Sequence, residues 1–165
     1  MPSAARRKKE PGLQVIGLIS DTHGLMRPQA LEALEGADLI IHAGDIGKPE
    51  VIEALKAIGP VRAIKGNNDT GAWAKALPET QLVNTGEVRL FIVHNVNELA
   101  GDPVARGFRV VISGHSHKPS VSSREGVLYV NPGSAGPRRF KLPVAVGKLF
   151  IKGSQVNARV IELAV

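Results

Sequence analysis

Five strand-like runs of this chain each end in a residue that can bind a metal ion, and this pattern limits the folds that the chain can adopt. The runs and the residues that follow them are Leu13–Ser20 with Asp21 and His23, Asp38–Ala43 with Asp45, Val61–Lys65 with Asn67, Val88–Val93 with His94, and Arg109–Ser113 with His115 and His117. Ligands of open α/β sheets bind in the crevice beyond the carboxyl ends of the strands. The five endings are therefore expected to converge on one place.

The first half of the chain alternates strands with helical segments. Pro28–Leu34 and Pro49–Ile58 each place Pro at a helix start and carry apolar residues at helical spacing, and Gly59-Pro60 closes the second helix. A β-α-β-α-β rhythm is typical of parallel strands joined by helical crossovers.

The second half has a different pattern. Thr80–Val83 and Val88–Val93 flank a turn and predict a hairpin, and residues 97–107 predict a short helix or a loop. Val127–Val130, Val144–Ile151 and Gln155–Leu163 are predicted strands with antiparallel pairing. The expected fold is a mixed α/β sandwich whose second sheet lies nearer the C-terminus.

Length and charge define the expected domain organisation. The 165 residues suit one domain, assigned to residues 13–165, after a disordered basic tail at residues 1–12. Arg6, Arg7, Lys8 and Lys9 against Glu10 supply half of the net charge of +6, which leaves too little on the body to favour nucleic acid as a partner. The absence of a signal-peptide pattern and of a membrane-length apolar run predicts a cytoplasmic protein, whose oligomeric state stays open.

The histidines sharpen the prediction of a metal site. Four of the five follow strand ends, and the fifth, His42, lies within a strand and is expected to be structural or to support the site. Imidazole and carboxylate without any cysteine suit Mn, Fe, Ni, Zn or Co. Six or seven ligands exceed the needs of one tetrahedral ion, whereas two ions about 3.5–4 Å apart, sharing one carboxylate, would use them all.

The ordered motifs resemble the calcineurin-like metallophosphoesterase superfamily. The resemblance covers residues 13–140, and three motifs are similar to those of small YfcE-type phosphodiesterases: Ser20-Asp21-Thr22-His23-Gly24, His42-Ala43-Gly44-Asp45 and Asn131-Pro132-Gly133-Ser134. It implies a four-layer αββα sandwich with two mixed β-sheets. The implied function is hydrolysis of a small phosphodiester, in which a hydroxide that bridges two divalent ions attacks phosphorus.

The same resemblance implies a role for each ligand. The first ion would be held by Asp21, His23 and His117, the second by Asn67, His94 and His115, and Asp45 would bridge the two as a catalytic residue. Mn²⁺ is the expected ion, with Ni²⁺, Fe²⁺, Zn²⁺ and Co²⁺ as alternatives. Asn131 and Arg138 are candidate substrate contacts. A structural turn at residues 131–134 and a solvated basic loop at Arg138, Arg139 and Lys141 are the alternative interpretations.

Two positions depart from the family pattern. The family often has His after the ligand Asn, where it protonates the leaving group, and this chain has Asn68, which is a catalytic and substrate-binding candidate. An amide is a poor general acid, so diesters with acidic alcohols should be favoured over alkyl monoesters. Asp69 either replaces that acid or hydrogen-bonds the loop. The second departure is Val96, which stands where the family usually has a second His.

Two other classes of function compete with the enzyme. A eukaryotic retromer subunit with this fold acts mainly as a protein-binding scaffold, and altered motif residues accompany that role. Against a scaffold stands the complete set of seven predicted ligands. A nucleic-acid-binding protein is the third hypothesis, and it would need a basic face on the folded body.

Overall fold

The computed structural model describes residues 10–165, so residues 1–9 of the predicted basic tail lie outside the described part. The strands are β1 (Leu13–Ile19), β2 (Leu39–His42), β3 (Val61–Ala63), β4 (Thr80–Thr85), β5 (Val88–Val93), β6 (Val110–Ile112), β7 (Ser120–Arg124), β8 (Val127–Asn131), β9 (Ala145–Lys152) and β10 (Gln155–Glu162). The α-helices are α1 (Pro28–Leu34) and α2 (Pro49–Lys56), and short 3-10 helices span Ala72–Ala76 and Val96–Glu98.

The first sheet has the strand order β10-β9-β1-β2-β3. β1, β2 and β3 are parallel, as predicted, and α1 and α2 form the crossovers between them. The prediction that the C-terminal strands extend a second sheet is wrong, because β9 pairs antiparallel with β1 and brings β10 with it. β9 is thus an inner strand of the first sheet.

The second sheet has the order β4-β5-β6-β8-β7. β4 and β5 form the predicted hairpin, although β4 continues to Thr85 and the turn shifts to Gly86-Glu87. β8 runs parallel to β6, which corrects the antiparallel prediction, and it is antiparallel only to β7. All five residues of β7 are exposed, so this edge strand lacks the apolar alternation that would have revealed it.

Three apolar layers hold the molecule together. Between the sheets lies a core that includes Leu18, Ile41, Leu90, Ile112 and Leu149. The helices pack on the outer face of the first sheet, and the segment around the second 3-10 helix covers Phe91, Phe108 and Val111 on the outer face of the second. The α/β class with two mixed sheets in an αββα arrangement is confirmed, with few helices outside the second sheet.

Candidate metal centre

The turns that follow the strands carry unusual backbone geometry. Five predicted ligands have positive φ: Asp21 at 55°, His23 at 48°, Asp45 at 56°, His115 at 70° and His117 at 63°. This region is uncommon for residues other than glycine, and backbone strain of this kind concentrates at functional sites. The chain is therefore held in turns that aim these side chains in particular directions.

Glycines allow the backbones of the site to approach one another closely. A Cβ on Gly66 would lie 2.2 Å from Oδ1 of Asp45, and one on Gly114 would lie 2.0 Å from Oγ of Ser20. No side chain fits at either position. These two glycines bring the loops after β3 and β6 against the carboxylates of Asp45 and Asp21.

One close cluster contains Asp21, His23 and His117. Oδ1 of Asp21 lies 3.5 Å from Nε2 of His117 and 3.9 Å from Nε2 of His23. The two histidine Nε2 atoms lie 3.4 Å apart. These are the residues predicted to hold the first ion, and the structure brings all three together.

A second cluster contains Asp21, Asp45 and His94. Nε2 of His94 lies 3.3 Å from Oδ2 of Asp45 and 3.9 Å from Oδ1 of Asp21. Oδ2 of Asp45 also lies 3.9 Å from Nε2 of His23, which belongs to the first cluster. The two carboxylates therefore lie between the two groups of histidines.

Buried ligand atoms at this centre lack hydrogen-bond partners. Nδ1 of His94 lies 2.7 Å from the carbonyl oxygen of Ala43 and so donates to it, which directs Nε2 of the ring to the carboxylate oxygens. Within residues 10–165, the buried side-chain atoms without a hydrogen-bond partner are Oδ1 of Asp21, Nε2 of His94 and Nδ1 of His117. Buried polar atoms without partners are costly, and a cation among these carboxylate oxygens and ring nitrogens would remove that cost. The donor set fits divalent ions.

Neighbouring donors fix the orientation of the Asp21 carboxylate. Oδ2 of Asp21 accepts from Oγ of Ser20 at 2.7 Å and from the His115 N–H at 3.0 Å, which turns Oδ1 toward the cluster. Ser134 Oγ donates to the Asp21 carbonyl at 3.0 Å. Ser20 and Ser134 were not predicted to have a role, and their positions in the two Ser-containing motifs were the only sequence signal.

Protonation equilibria reflect this burial. Burial raises the pKa of Asp21 above its ordinary value. Burial opposes ionisation of Asp45 too, but His94 and the Asn68 N–H hold the pKa of that carboxyl well below its usual range. Burial lowers the pKa of His117, and the positive charge of Arg139 lowers it further against the attraction of Asp21.

His42 is fully buried behind the site. The Gly44 N–H donates to its Nδ1 at 3.1 Å, so the ring proton is on Nε2 and is donated to Oγ1 of Thr22 at 3.0 Å. The Thr22 hydroxyl in turn donates to the Ile46 carbonyl at 2.8 Å. Burial lowers the pKa of His42 to about 3, so the ring is neutral near pH 7. The supporting role expected for this residue agrees with these contacts.

Asp69 ties two ligand loops together. Its buried carboxylate accepts the backbone N–H groups of Ile46 at 3.0 Å, Gly47 at 2.9 Å and Gly66 at 2.9 Å. Of the two predicted interpretations, these contacts favour the hydrogen-bonding one. The Asp69 carboxylate thus accepts three hydrogen bonds from the turns that carry Asp45 and Asn67.

The remaining predicted ligands are more exposed. Asn67 and His115 line a cleft of about 640 Å³ next to His94, and the rings of His94 and His115 meet edge to face with centroids 5.3 Å apart. His115 lies outside both close clusters of the described residues. The structure thus gathers Asp21, His23, Asp45, His94 and His117 tightly and places Asn67 and His115 at the cleft.

The predicted substrate contacts differ in their surroundings. The amide of Asn131 is buried and donates to the Gly114 carbonyl at 3.0 Å and to Oγ of Ser116 at 3.1 Å, so it holds the loop of His115 and His117. Its oxygen accepts the Gly133 N–H at 2.9 Å. These contacts match the structural turn left open for this motif. Arg138 is exposed, and Arg139 is the residue whose charge acts on His117.

Fold and site together define an α/β protein with a candidate site for divalent metal ions. The family model of the calcineurin-like phosphoesterase superfamily domain matches residues 15–152. The chain therefore belongs to the calcineurin-like phosphoesterase superfamily, whose members bind divalent metals.

Relatives in two archaea share most of this sequence's length. A probable metallophosphoesterase of Methanothermobacter thermautotrophicus is 32% identical over 90% of this chain and 92% of its own. One of Methanocaldococcus jannaschii is 34% identical over 92% and 83%. A phosphodiesterase of the latter organism is 27% identical over 72% and 82%.

Solved structures share the fold at low identity. A single mutant of Vps29 from Entamoeba histolytica superposes with a TM-score of 0.72 at 20% identity, covering 92% of this chain and all of its own. Yfce, a phosphoesterase from E. coli, gives 0.66 at 22% identity, with coverage of 92% and 100%. The fold is thus common to proteins named as phosphoesterases and to Vps29 proteins. Within residues 10–165, no helix is both long and apolar enough to span a bilayer.

Proposed function

We propose that this protein is a dinuclear metal-dependent phosphodiesterase that acts on a small phosphodiester. The observation that carries the proposal is the convergence of histidine ring nitrogens on two buried carboxylates, above all Nε2 of His94 at 3.3 Å from Oδ2 of Asp45. Two groups of histidines share two carboxylates, and this suits two ions better than one. The protein's place among metallophosphoesterases supports the assignment.

Each predicted ligand has a place in the proposed dinuclear site. Asp21, His23 and His117 would hold one ion, Asn67, His94 and His115 the other, and Asp45 would be shared. Bound divalent ions would supply Lewis acidity and lower the pKa of water near the phosphorus. The backbone of the turns and the contacts of Ser20, Asn68 and Asp69 keep the ligands in place, so the charge that develops in the transition state meets a preorganised site. Mn²⁺ is the proposed ion.

The contacts of Asn68 bear on the choice of substrate. Its side-chain amide donates to Oδ2 of Asp45 at 3.1 Å, and an amide is a poor proton donor to a leaving alcohol. Asn68 is thereby assigned a positioning role on Asp45. Asp69 is bound by three backbone N–H groups and does not supply an acid either. Diesters with acidic alcohols are the substrates for which the missing acid matters least.

The test measures bound metal and turnover together. Purified protein is assayed for metal content and for hydrolysis of bis(4-nitrophenyl) phosphate with Mn²⁺ and with chelator. Asp45→Asn should bind less metal and lose about 100-fold or more in kcat/KM, whereas Asp102→Asn, on an exposed loop, should match the wild type. A 4-nitrophenyl monoester should react more slowly than the diester. Metal-independent hydrolysis, or full activity of Asp45→Asn, would contradict the proposal.

A non-catalytic scaffold of the same fold is the second candidate, and the fold shared with Vps29 proteins supports it. One such structure, from Entamoeba histolytica, was determined as a complex with Zn²⁺, so metal binding alone does not distinguish the two functions. Turnover does distinguish them. Stoichiometric metal with no hydrolysis of any tested diester would favour the scaffold.

A further inference from the structure

The loop between β8 and β9 presents an aromatic side chain to solvent. Phe140 is 95% exposed, whereas the next most exposed large apolar residue of the described chain, Val104, is 47% exposed. Arg138, Arg139 and Lys141 surround it in the sequence. The pattern joins one apolar ring to three cations.

Phe140 also has a strained backbone. The Leu142 N–H donates to the Arg139 carbonyl at 3.0 Å, which closes a tight turn with Phe140 at its second position and φ at 50°. Turns with positive φ at this position are dominated by Gly, Asn and Asp. A bulky residue there costs stability, and an exposed ring regains none of it by burial. The fold itself gives no reason for a phenylalanine.

The base of this loop is fastened to the metal centre. The Ala135 N–H donates to the Ser20 carbonyl at 3.0 Å, and Arg27 donates to the Gly136 carbonyl at 3.2 Å. A Cβ on Gly136 would lie 2.5 Å from the carbonyl oxygen of Asp21. The loop therefore leaves the body of the protein next to Asp21, and Arg138 and Arg139 follow Gly136 by two and three residues.

We propose that residues 137–142 form a substrate-binding lip that selects phosphodiesters with an aromatic alcohol, such as an aryl or nucleoside group. Phe140 stacks on that aromatic group, and Arg138 and Arg139 bind the phosphate anion. Stacking contributes without hydrogen bonds and accepts any flat ring, and guanidinium groups pair well with phosphate oxygens. This inference rests on the proposed function and adds a substrate class to it.

The experiment compares two diesters across matched variants. Hydrolysis of bis(4-nitrophenyl) phosphate is followed by absorbance and that of glycerophosphoethanolamine by phosphorus NMR, both with Mn²⁺. Phe140→Ala and Phe140→Gly should lower kcat/KM for the aromatic diester about tenfold, mainly through KM, and stay within about twofold of wild type for the aliphatic one. The control is Val104→Ala, which changes an exposed apolar residue outside the loop. It should leave kcat/KM for both diesters unchanged. Arg139→Gln should weaken both.

Stability provides an independent readout. Phe140→Gly should unfold at the same denaturant concentration as the wild type or a higher one, because glycine adopts positive φ without strain. A Phe140→Gly protein that is less stable than wild type would show that the ring has a structural role. If the Phe140 variants lost kcat/KM equally for both diesters, or for neither, the proposed substrate-binding lip would be wrong.

Binding separates this inference from the proposed function. If the wild type hydrolyses neither diester, calorimetric titration of the Mn²⁺-loaded protein with adenosine monophosphate and with inorganic phosphate tests the lip alone. The nucleotide should bind more tightly than phosphate to wild type, and Phe140→Ala should remove that advantage. A wild type that does not prefer the nucleotide would refute the lip, whatever the fate of the phosphodiesterase.

Discussion

Asn68 donates to both oxygens of the Asp45 carboxylate, with its backbone N–H 2.9 Å from Oδ1 and its side-chain amide 3.1 Å from Oδ2. A carboxylate held at both oxygens has one orientation. Because Oδ2 also faces His94, the orientation of Asp45 determines where a shared cation can bind.

Removing the Asn68 amide should therefore loosen the metal site. Asn68→Ala keeps the backbone donor and loses the side-chain donor, and we expect metal affinity to fall about tenfold, since partners of ligating groups commonly contribute roughly 10–100-fold. Metal titration against a fluorescent chelator measures this. Asn84→Ala, an exposed asparagine of β4, is the control. Unchanged affinity in Asn68→Ala would show that the amide does not orient Asp45.

The metal-free protein should tolerate Asp21→Asn well. Burial raises the pKa of Asp21, so the ionised carboxylate is unfavourable without a cation. Asparagine keeps an oxygen for Ser20 and for the His115 N–H and removes the charge. In chelator, its free energy of unfolding should equal or exceed that of wild type, by up to about 1 kcal/mol.

The same variant should lose its response to metal. Ions present at about 100 times their dissociation constant stabilise the wild type by about 2.7 kcal/mol, and Asp21→Asn should show almost none of this. Thermal melts with Mn²⁺ and with chelator test both halves of the prediction. A variant that is less stable in chelator, or that still gains stability from metal, would contradict the role given to Asp21.

His42 should make the stability of the metal-free protein depend on pH. Its pKa falls from an ordinary 6.5 to about 3 in the folded protein, so below 6.5 the unfolded chain binds the additional proton. Stability from this group is complete above pH 6.5 and decreases toward pH 3, with a slope of up to about 1.4 kcal/mol per pH unit. His42→Gln, which keeps one acceptor and one donor, should remove this slope.

Urea denaturation of both proteins in chelator between about pH 4 and 7.5 provides the comparison. Asp21 has a raised pKa and contributes a slope of opposite sign in each protein, so the difference between the two curves is the quantity of interest. That difference should grow as the pH falls below 6.5. Two parallel curves would mean that His42 is not buried in its neutral form.

The sequence supported prediction of which side chains converge better than prediction of the strand pairing, for a physical reason. Asp21, Asp45 and His94 lie within three residues of the ends of apolar strands, and the carboxyl ends of β1, β2 and β5 bring them together once the strands form. Local pattern is sufficient for that convergence. The pairing of β9 with β1 joins residues more than 120 positions apart, and no local periodicity encodes it.

The contacts that support the site were harder to predict than the predicted ligands. β7 was missed because its residues are all exposed. The sequence left Asn131 open between a substrate contact and a structural turn, because a sequence does not show the direction of a side chain, and in the structure its amide donates to the Gly114 carbonyl. Phe140 was not noted at all, since exposure and positive φ appear only in three dimensions.

Asp69 should be a main determinant of the stability of the ligand loops. Asp69→Ala would leave the N–H groups of Ile46, Gly47 and Gly66 without their acceptor, and buried groups that lose a charged partner each cost about 1–3 kcal/mol. We expect a loss of about 3 kcal/mol in the free energy of unfolding, because the loops can relax and admit water at part of the site.

The matched control is Asp102→Ala, which removes an exposed carboxylate that accepts one N–H, from Val104 at 3.0 Å. That change should cost less than about 1 kcal/mol. Asp69→Ala should also weaken metal binding, since Asp45 and Asn67 lie on the loops that Asp69 joins, whereas Asp102→Ala should not. If Asp69→Ala were as stable as Asp102→Ala, water would be replacing the carboxylate, and the positions of Asp45 and Asn67 would have to be fixed by the strands alone.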